Sequence, residues 1–368
     1  MPVTKVVVNL AGEPAYEVRV GPDLLGGLGQ HLRKGTYTGE RVLVLSDSKV
    51  APLYLADVRQ SLASAGYRAM DIVVPAGEAS KSVACVAEIW EAMARAAFPR
   101  DGLVVALGGG VVGDIAGFVA STYMRGLAVV QVPTSLLAMV DSSVGGKTGI
   151  NLATGKNLVG TFMQPLHVCA STDTLVTLPA AEWACGCAEV AKSAVIDSDD
   201  FFFWLVDSAP RLAQHDEAAA LEAITRSVVF KAGVVAQDTR EGRGIRECLN
   251  YGHTFGHAVE ACAGFGRFTH GQAVAEGMRF AARLGAALLD TPRDFVSAQD
   301  DLLETLGLGV LGWSERPEVL LEAMRGDKKV RQGALRFVLP RDVGNWELVE
   351  VDEATLLEHL AAWEKSAR

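Results

Sequence analysis

Three of the chain's seven histidines fall in one stretch, LNYGHTFGHAVEACAGFGRFTHG, as His253, His257 and His270. His253 and His257 are four residues apart, so a helix turns both onto one face, and Gly256 between them leaves room for an approaching group. Such a pair can chelate a metal, and it can equally be a surface or core pair; chelation needs a carboxylate as well. His270 opens the next helical run, and the turn GFGRFT can return it to the same place. The stretch CGCAEVAK offers the carboxylate: Glu189, with Lys192 one turn later. A Glu and a Lys at this spacing ordinarily form a solvated pair, but the flanking Ala, Val and Cys aim this one into a cleft. Cys185 and Cys187, two apart on the same helix, face different directions and read as packing rather than thiolate ligands.

A second kind of chemistry, anion binding, is written in glycines and lysines. LVVALGGGVVGD runs from a strand into Gly108, Gly109, Gly110, Val111, Val112, Gly113 and Asp114, followed by the helical IAGFVASTYM. Bare amides at a helix start suit a pyrophosphate. The ordinary dinucleotide fold has an acidic ribose partner about twenty residues further on, and LAVVQVPTS supplies none. This leaves either a ligand-free strand-to-helix turn or a nucleotide in a variant α/β fold. DSSVGGKTGINLATGKN gathers Asp141, Lys147, Lys156 and Asn157 in a segment too glycine-rich for a regular helix. Its GGKT imitates the tail of a phosphate-binding P-loop, but that motif needs Gly where Asp141 stands. Two lysines between glycine turns, beside an acid, suit an anionic hydroxylated ligand.

The elements that must position these groups come in two halves. RVLVLSD, RAMDIVVP, GLVVALGGG and AVVQVPT are short β-branched runs separated by helical stretches, the rhythm of a helix-covered parallel sheet. From about Leu178 the periodicity turns helical, broken near the end by the hairpin-like LRFVLPRDVGNWELVEV. The reading is an α/β nucleotide-binding domain over residues 1–177 and a mainly α-helical domain over 178–368, with the site between the halves. With 368 residues, 49% of them hydrophobic, each domain can fill a core. A net charge of −10 without a basic block excludes nucleic acid and anionic membrane as main partners. The six cysteines lack framework spacing, the start shows no secretory signal and no apolar run spans a membrane; a cytoplasmic enzyme is expected.

In order along residues 40 to 345, PAGEASKS, GGGVVGDIAGFVASTYMRG, VPTSLLAMVDSSVGGKTGINLATGKN, CAEVAK, LNYGHTFGHAVE, HGQAVAEGM and DKKVRQGALRFVLP resemble the 3-dehydroquinate synthase family. The resemblance implies an NAD-dependent sugar phosphate cyclase whose substrate is 3-deoxy-D-arabino-heptulosonate 7-phosphate. The family oxidises the C5 hydroxyl with bound NAD, eliminates phosphate, reduces the ketone again and closes the carbocycle in an aldol step. It implies one divalent metal, zinc or cobalt, on Glu189, His253 and His270, which leaves His257 to the substrate phosphate. It matches Asp141, Lys147, Asn157, Lys192, Lys231, Arg246, Asn250 and a lysine of DKK, Lys328 or Lys329, to substrate-site positions. For NAD it matches Asp47, Glu78, Lys81, Gly109, Gly110, Val111, Val112, Gly113, Asp114, Thr134, Ser135, Lys147, Lys156, Thr174, Leu175, Val176 and Thr177. Asp47 and Glu78, just past strands, stand in for the missing ribose acid. Arg125 resembles an arginine that reaches the neighbouring subunit's phosphate site, which implies a homodimer.

Three positions depart from the pattern: Ala181 where arginine is common, Ser135 for the second threonine of a pair, and Gln272 where HGE is typical. Gln272 is expected to weaken tuning near His270, since an amide lacks a carboxylate's charge. The competing readings are a metal-dependent polyol dehydrogenase, a cyclase acting on sedoheptulose 7-phosphate or on an amino analogue, and a dead nucleotide-binding module. Lys231 and Arg246, suited to a substrate carboxylate, favour the 3-dehydroquinate reaction over sedoheptulose cyclases.

Overall fold

The computed structural model describes residues 2–35, 37–264, 266–326 and 335–366. Lys328 and Lys329 lie outside the described residues. The chain forms two compact units, 1–178 with 231–240, and 179–230 with 241–368. The sequence reading cut once after residue 177; the division differs in giving Lys231–Arg240, the end of a long helix and the three residues after it, to the first unit.

The first unit holds strands β1 (Thr4–Leu10), β2 (Glu13–Gly21), β3 (Arg41–Asp47), β4 (Arg68–Val74), β5 (Leu103–Gly108), β6 (Ala128–Pro133), β7 (Lys147–Leu152), β8 (Gly155–Phe162) and β9 (His167–Ser171). Seven of them build one sheet in the order β1-β2-β9-β6-β5-β3-β4, parallel throughout except for β1 against β2. Its central strands are apolar on both faces, as a doubly covered parallel sheet requires. Along β3, Val42 and Val44 face one core with Val58, Leu62, Leu28 and Leu32, from helices α1 (Leu28–Lys34) and α2 (Ala51–Ser64). Leu43 and Leu45 face the other with Val86, Ile89, Ile115 and Val119, from α3 (Val83–Arg95) and α4 (Gly110–Thr122). The period of two thus splits the strand between two layers of helices.

The order of strands reverses direction at β3. From β3 the chain steps outward to β4, then returns to β5 on the other side of β3, with Ser46 registered against Leu107. The carboxyl ends of β3 and β5 are therefore neighbours, and such a reversal opens a crevice where ligands of open α/β sheets bind. It brings the strand end at Asp47 beside the glycine turn at Gly108.

The segment read as loops around Lys147 and Lys156 has more order than its glycines promised. A π-helical turn, Ala138–Ser142, carries Asp141, and β7 pairs antiparallel with β8 as a separate hairpin.

The second unit comprises α5 (Ala180–Asp197), α6 (Asp199–Ala213), most of α7 (Glu217–Gln237), α8 (His253–Ala263), α9 (His270–Leu288), α10 (Arg293–Thr305) and α11 (Pro317–Arg325). The expected hairpin follows as β10 (Leu335–Asp342) and β11 (Asn345–Val351), and α12 (Glu353–Ser366) closes the unit. Helices α8 and α9 pack closely because glycines meet: a Cβ on Gly277 would lie 1.8 Å from the Gly252 carbonyl oxygen. Gly252, at φ +77°, also makes the left-handed entry into α8 that an L side chain resists. Among the described residues, no helix is long and apolar enough to cross a membrane.

Candidate functional site

In the second unit Glu189, Lys192, His253, His257 and His270 come together from three helices. Glu189 and Lys192 lie one turn apart on α5, their side chains 1% and 2% exposed, and make a close ion pair. The carboxylate Oε1 of Glu189 sits 3.6 Å from His253 Nε2 and 3.5 Å from His270 Nε2. Four ligands on a zinc-sized ion at about 2.0–2.1 Å stand about 3.3 Å apart, so this trio is nearly spaced for an ion already. Neither Glu189 oxygen makes a hydrogen bond of ordinary geometry. A buried carboxylate left in this way wants cations.

The remaining ring nitrogens fix how the imidazoles are presented. His253 Nδ1 is 3.1 Å from the Tyr251 carbonyl oxygen, and His270 Nδ1 is 3.2 Å from Glu260 Oε2. Both partners are acceptors, so each Nδ1 donates and each Nε2 is turned toward Glu189, the arrangement of metal-ligating histidines. Burial works against charge on all three groups. It prevails at His253, held well below the usual imidazole range, whereas Lys192 and the imidazoles outweigh it at Glu189, which stays ionised. Glu189 and Glu260 outweigh burial at His270 and push it up to about 10. A proton there balances Glu189, and a bound cation would displace it.

His257 stands beside this trio, its ring centroid 5.4 Å from that of His253 and 6.1 Å from that of His270. It joins Glu260 and His270 in a second group whose ligand atoms lie within 4.8 Å of one another. Sequence reasoning missed Glu260. Its signal was spacing: three residues past His257 and seven past His253, it shares their helical face.

The structure shows what Gln272 does locally. Thr269 Oγ1 accepts from the Gln272 amide at 3.3 Å, and Gln272 Oε1 accepts from the Thr269 amide at 2.9 Å, a capping box at the start of α9. That reciprocal bond needs an acceptor oxygen, which an amide supplies as well as a carboxylate. It anchors the helix whose first residue is His270. Cys185 and Cys187 are buried, with thiols pushed up by burial, Cys185 to about 12, and Cys185 Sγ accepts from the Gly271 amide. They pack, as expected. Arg246 is buried in this unit too, and Asn250 is half-buried at the end of the 3-10 turn Ile245–Asn250.

The first unit assembles the other candidates. Helix α4 begins at Gly110, and its N-cap Gly109 offers no side-chain cap, so its first amides and positive dipole end are open to an anion. Side chains crowd two of these glycines: a Cβ on Gly113 would meet Gln131 Oε1 at 2.8 Å, and one on Gly110 would meet Ser142 Oγ at 3.0 Å. Beneath the turn, buried Lys81 donates to Asp114 Oδ2 at 2.7 Å and to Asn157 Oδ1 at 2.6 Å. Glu78 lies 3.6 Å from the same ammonium and accepts from Asn151 Nδ2 at 2.8 Å. Burial raises the Asp114 carboxyl against the pull of Lys81.

The remaining positions vary in what they have left to offer. Asp47 Oδ1 accepts from the amides of Lys49 and Val50, in the turn that leads into α2. Thr134 is buried at the end of β6, its amide donating to the Gly108 carbonyl, and Ser135 faces Gly109. Thr174 spends its hydroxyl on the Ser171 carbonyl and Leu175 is core, while Val176 is exposed and Thr177 pairs with the Tyr54 hydroxyl. Lys231, from the tail of α7, is buried in a close ion pair with Asp141. Lys147 is exposed at the start of β7, and Arg125, at φ +70°, is exposed in the turn after α4.

The family descriptions "3-dehydroquinate synthase N-terminal" and "3-dehydroquinate synthase C-terminal" match residues 71–185 and 186–330. A 3-dehydroquinate synthase of Xanthomonas campestris pv. campestris is 47% identical over 366 residues, covering 96% of this chain and 97% of its own. The chain belongs to the 3-dehydroquinate synthase family. It is an enzyme of the sugar phosphate cyclase kind, and the resemblance read from its motifs holds over nearly its whole length. Two solved structures carry the same architecture. A 2-deoxy-scyllo-inosose synthase complexed with carbaglucose-6-phosphate, NAD+ and Co2+ has a TM-score of 0.87 at 25% identity, covering 98% of this chain and 99% of that one. A 2-epi-5-epi-valiolone synthase of Streptomyces hygroscopicus subsp. jinggangensis, with NAD+ and Zn2+ bound, has a TM-score of 0.86 at 28% identity over the same shares. Within the 3-dehydroquinate synthase family, the expected α/β domain followed by a helical one is thus the observed fold.

Proposed function

We propose that this enzyme converts 3-deoxy-D-arabino-heptulosonate 7-phosphate to 3-dehydroquinate and phosphate, a carbon–oxygen lyase reaction of aromatic biosynthesis in the cytoplasm. The observation that carries the reading is the trio of Glu189, His253 and His270, spaced at 3.5 and 3.6 Å about one buried carboxylate oxygen. Its donor set fits a divalent zinc- or cobalt-class ion, and the uncapped start of α4 under Gly109 and Gly110 fits the pyrophosphate of NAD. When bound, the ion supplies a Lewis acid and NAD a hydride acceptor that returns its hydride within the same turnover.

The chain's own residues do the rest. Glu260 and the Tyr251 carbonyl hold the two imidazoles in register. Lys192 keeps Glu189 ionised and, with Arg246, supplies buried positive charge for an anionic substrate. His257, beside the trio, is placed to bind the phosphate and to pass a proton. Lys81 joins Asp114 and Asn157, bracing the underside of the nucleotide turn, while Asp47 and Glu78 offer oxygens for ribose hydroxyls. In the first unit Lys147, Lys156 and Lys231 supply positive charge for an anionic ligand, and Asp141 holds Lys231 in place. Thr134, Ser135 and the backbone of Thr174–Thr177 line the nucleotide. A homodimer is part of this reading: Leu152, Leu158, Val159 and Phe162 expose apolar surface on the β7–β8 hairpin, and Arg125 is free to reach a second copy. Sedimentation at assay concentration checks it against a monomer.

Substrate choice is the test. Purified enzyme with NAD and zinc is offered 3-deoxy-D-arabino-heptulosonate 7-phosphate, its amino analogue and sedoheptulose 7-phosphate, and inorganic phosphate is followed. The first is expected to give kcat/KM at least about a hundredfold above sedoheptulose 7-phosphate, since a site built for a carboxylate leaves Lys and Arg unpaired without one. Equal or reversed rates, or preference for the amino analogue, reject the assignment.

A further inference from the structure

We propose that Glu17, His31 and His167 form a second divalent-cation site, of the zinc class, where β2 pairs with β9 in the first unit. Glu17 and His167 are register partners across the parallel strands β2 and β9, and His31 reaches them from α1. One ligand atom from each lies within 4.8 Å of the others, and the two imidazole centroids are 4.2 Å apart with the rings tilted by 38°. One carboxylate with two imidazoles is also the donor set of the Glu189 trio.

The polar atoms in this cluster lack partners where an ion would supply one. His167 is only 4% exposed, and its Nε2 makes no hydrogen bond. The Oε1 of Glu17 is buried without a hydrogen bond as well, 3.9 Å from His31 Nε2. That edge needs to shorten by only about half an ångström to fit a tetrahedral ion. The side chains of Glu17 and His31 remain 29% and 30% exposed, which gives an ion a way in.

Basic neighbours set this site apart from the Glu189 trio. Arg19 Nη1 lies 3.2 Å from His31 Nδ1, its Nε is 3.8 Å from Glu17 Oε1, and Lys5 Nζ is 3.7 Å from Glu17 Oε2. While Arg19 donates to His31 Nδ1, the neutral ring carries its proton on Nε2. Ligation by Nε2 requires Arg19 to turn away and the proton to move to Nδ1. The site is therefore weaker than the trio, and Arg19 competes with the cation for it.

Equilibrium dialysis of the NAD-loaded enzyme against zinc tests the proposal, with melting temperature as a second readout. Wild type is expected to take up two zinc ions per chain, the second raising the melting temperature. His31→Gln, at a half-exposed position that folding tolerates, is expected to take up one and to lose the second shift while keeping wild-type turnover. Arg19→Ala is expected to bind the second ion at roughly tenfold lower zinc, because a nearby positive charge and a competing donor are gone. A wild type that stops at one ion overturns the proposal, as does a His31→Gln variant that still binds two. An Arg19→Ala variant with unchanged or weakened second binding also overturns it.

Discussion

His270→Ala is expected to purify folded, almost free of metal, and with kcat/KM reduced by roughly a thousandfold. The substitution removes one of three protein ligands and leaves Glu189 and His253, too few to retain an ion against buffer. Loss of the Lewis acid forfeits several kcal/mol of stabilisation, and each 1.4 kcal/mol is tenfold in rate. His257→Ala has the opposite signature. Its ring stands beside the trio rather than within it, so the variant keeps its metal and loses about a hundredfold in rate through phosphate binding and proton transfer. Metal analysis of the two folded variants separates the roles. If His257→Ala is the emptied one, the ion sits instead on the second group, His257, Glu260 and His270.

Lys192→Met should expose how the buried carboxylate is balanced. Glu189 and Lys192 are 1% and 2% exposed, and removing one partner of a buried pair leaves an uncompensated charge. In chelator the variant is expected to lose about 3 kcal/mol of stability by urea unfolding, toward the low end for such losses because a protonated His270 also faces Glu189. With zinc bound, the ion takes over that balance and the loss should fall below about 1 kcal/mol. Equal losses with and without zinc would mean that Lys192 does not serve Glu189.

The sequence was legible where a local rule is strong. The continuous apolar runs at β3, β5 and β6 announced a doubly covered sheet, and the two layers of helices follow from Val42 and Val44 facing one way while Leu43 and Leu45 face the other. His253 and His257 at helical spacing, Glu189 on an apolar helix and the glycines before α4 each pointed to chemistry before any contact was known. What stayed hidden depends on tertiary contact. Nothing local marks Glu260 as the partner of His270, ten residues away on another helix, or Glu17 and His167 as register partners 150 residues apart. The hairpin β7–β8 was masked by its glycines: Gly149 and Gly160 read as loop, yet they are opposed in register, and a Cβ on either would strike the facing backbone. At Gln272 the sequence reading weighed the missing charge, while its capping geometry became visible only in the structure. Residues 231–237 continue a helix of the second unit while packing in the first, a change that helical periodicity does not register.

The central claim is that NAD is reduced and reoxidised within one turnover, and the most direct test counts phosphate against NAD. Enzyme with zinc and a known, small amount of NAD is given excess 3-deoxy-D-arabino-heptulosonate 7-phosphate, while phosphate and the NADH absorbance are followed together. Phosphate is expected far in excess of the NAD supplied, with no lasting rise in NADH. NADH accumulating in step with product, and phosphate release halting when NAD is consumed, would contradict the claim and make the enzyme a dehydrogenase.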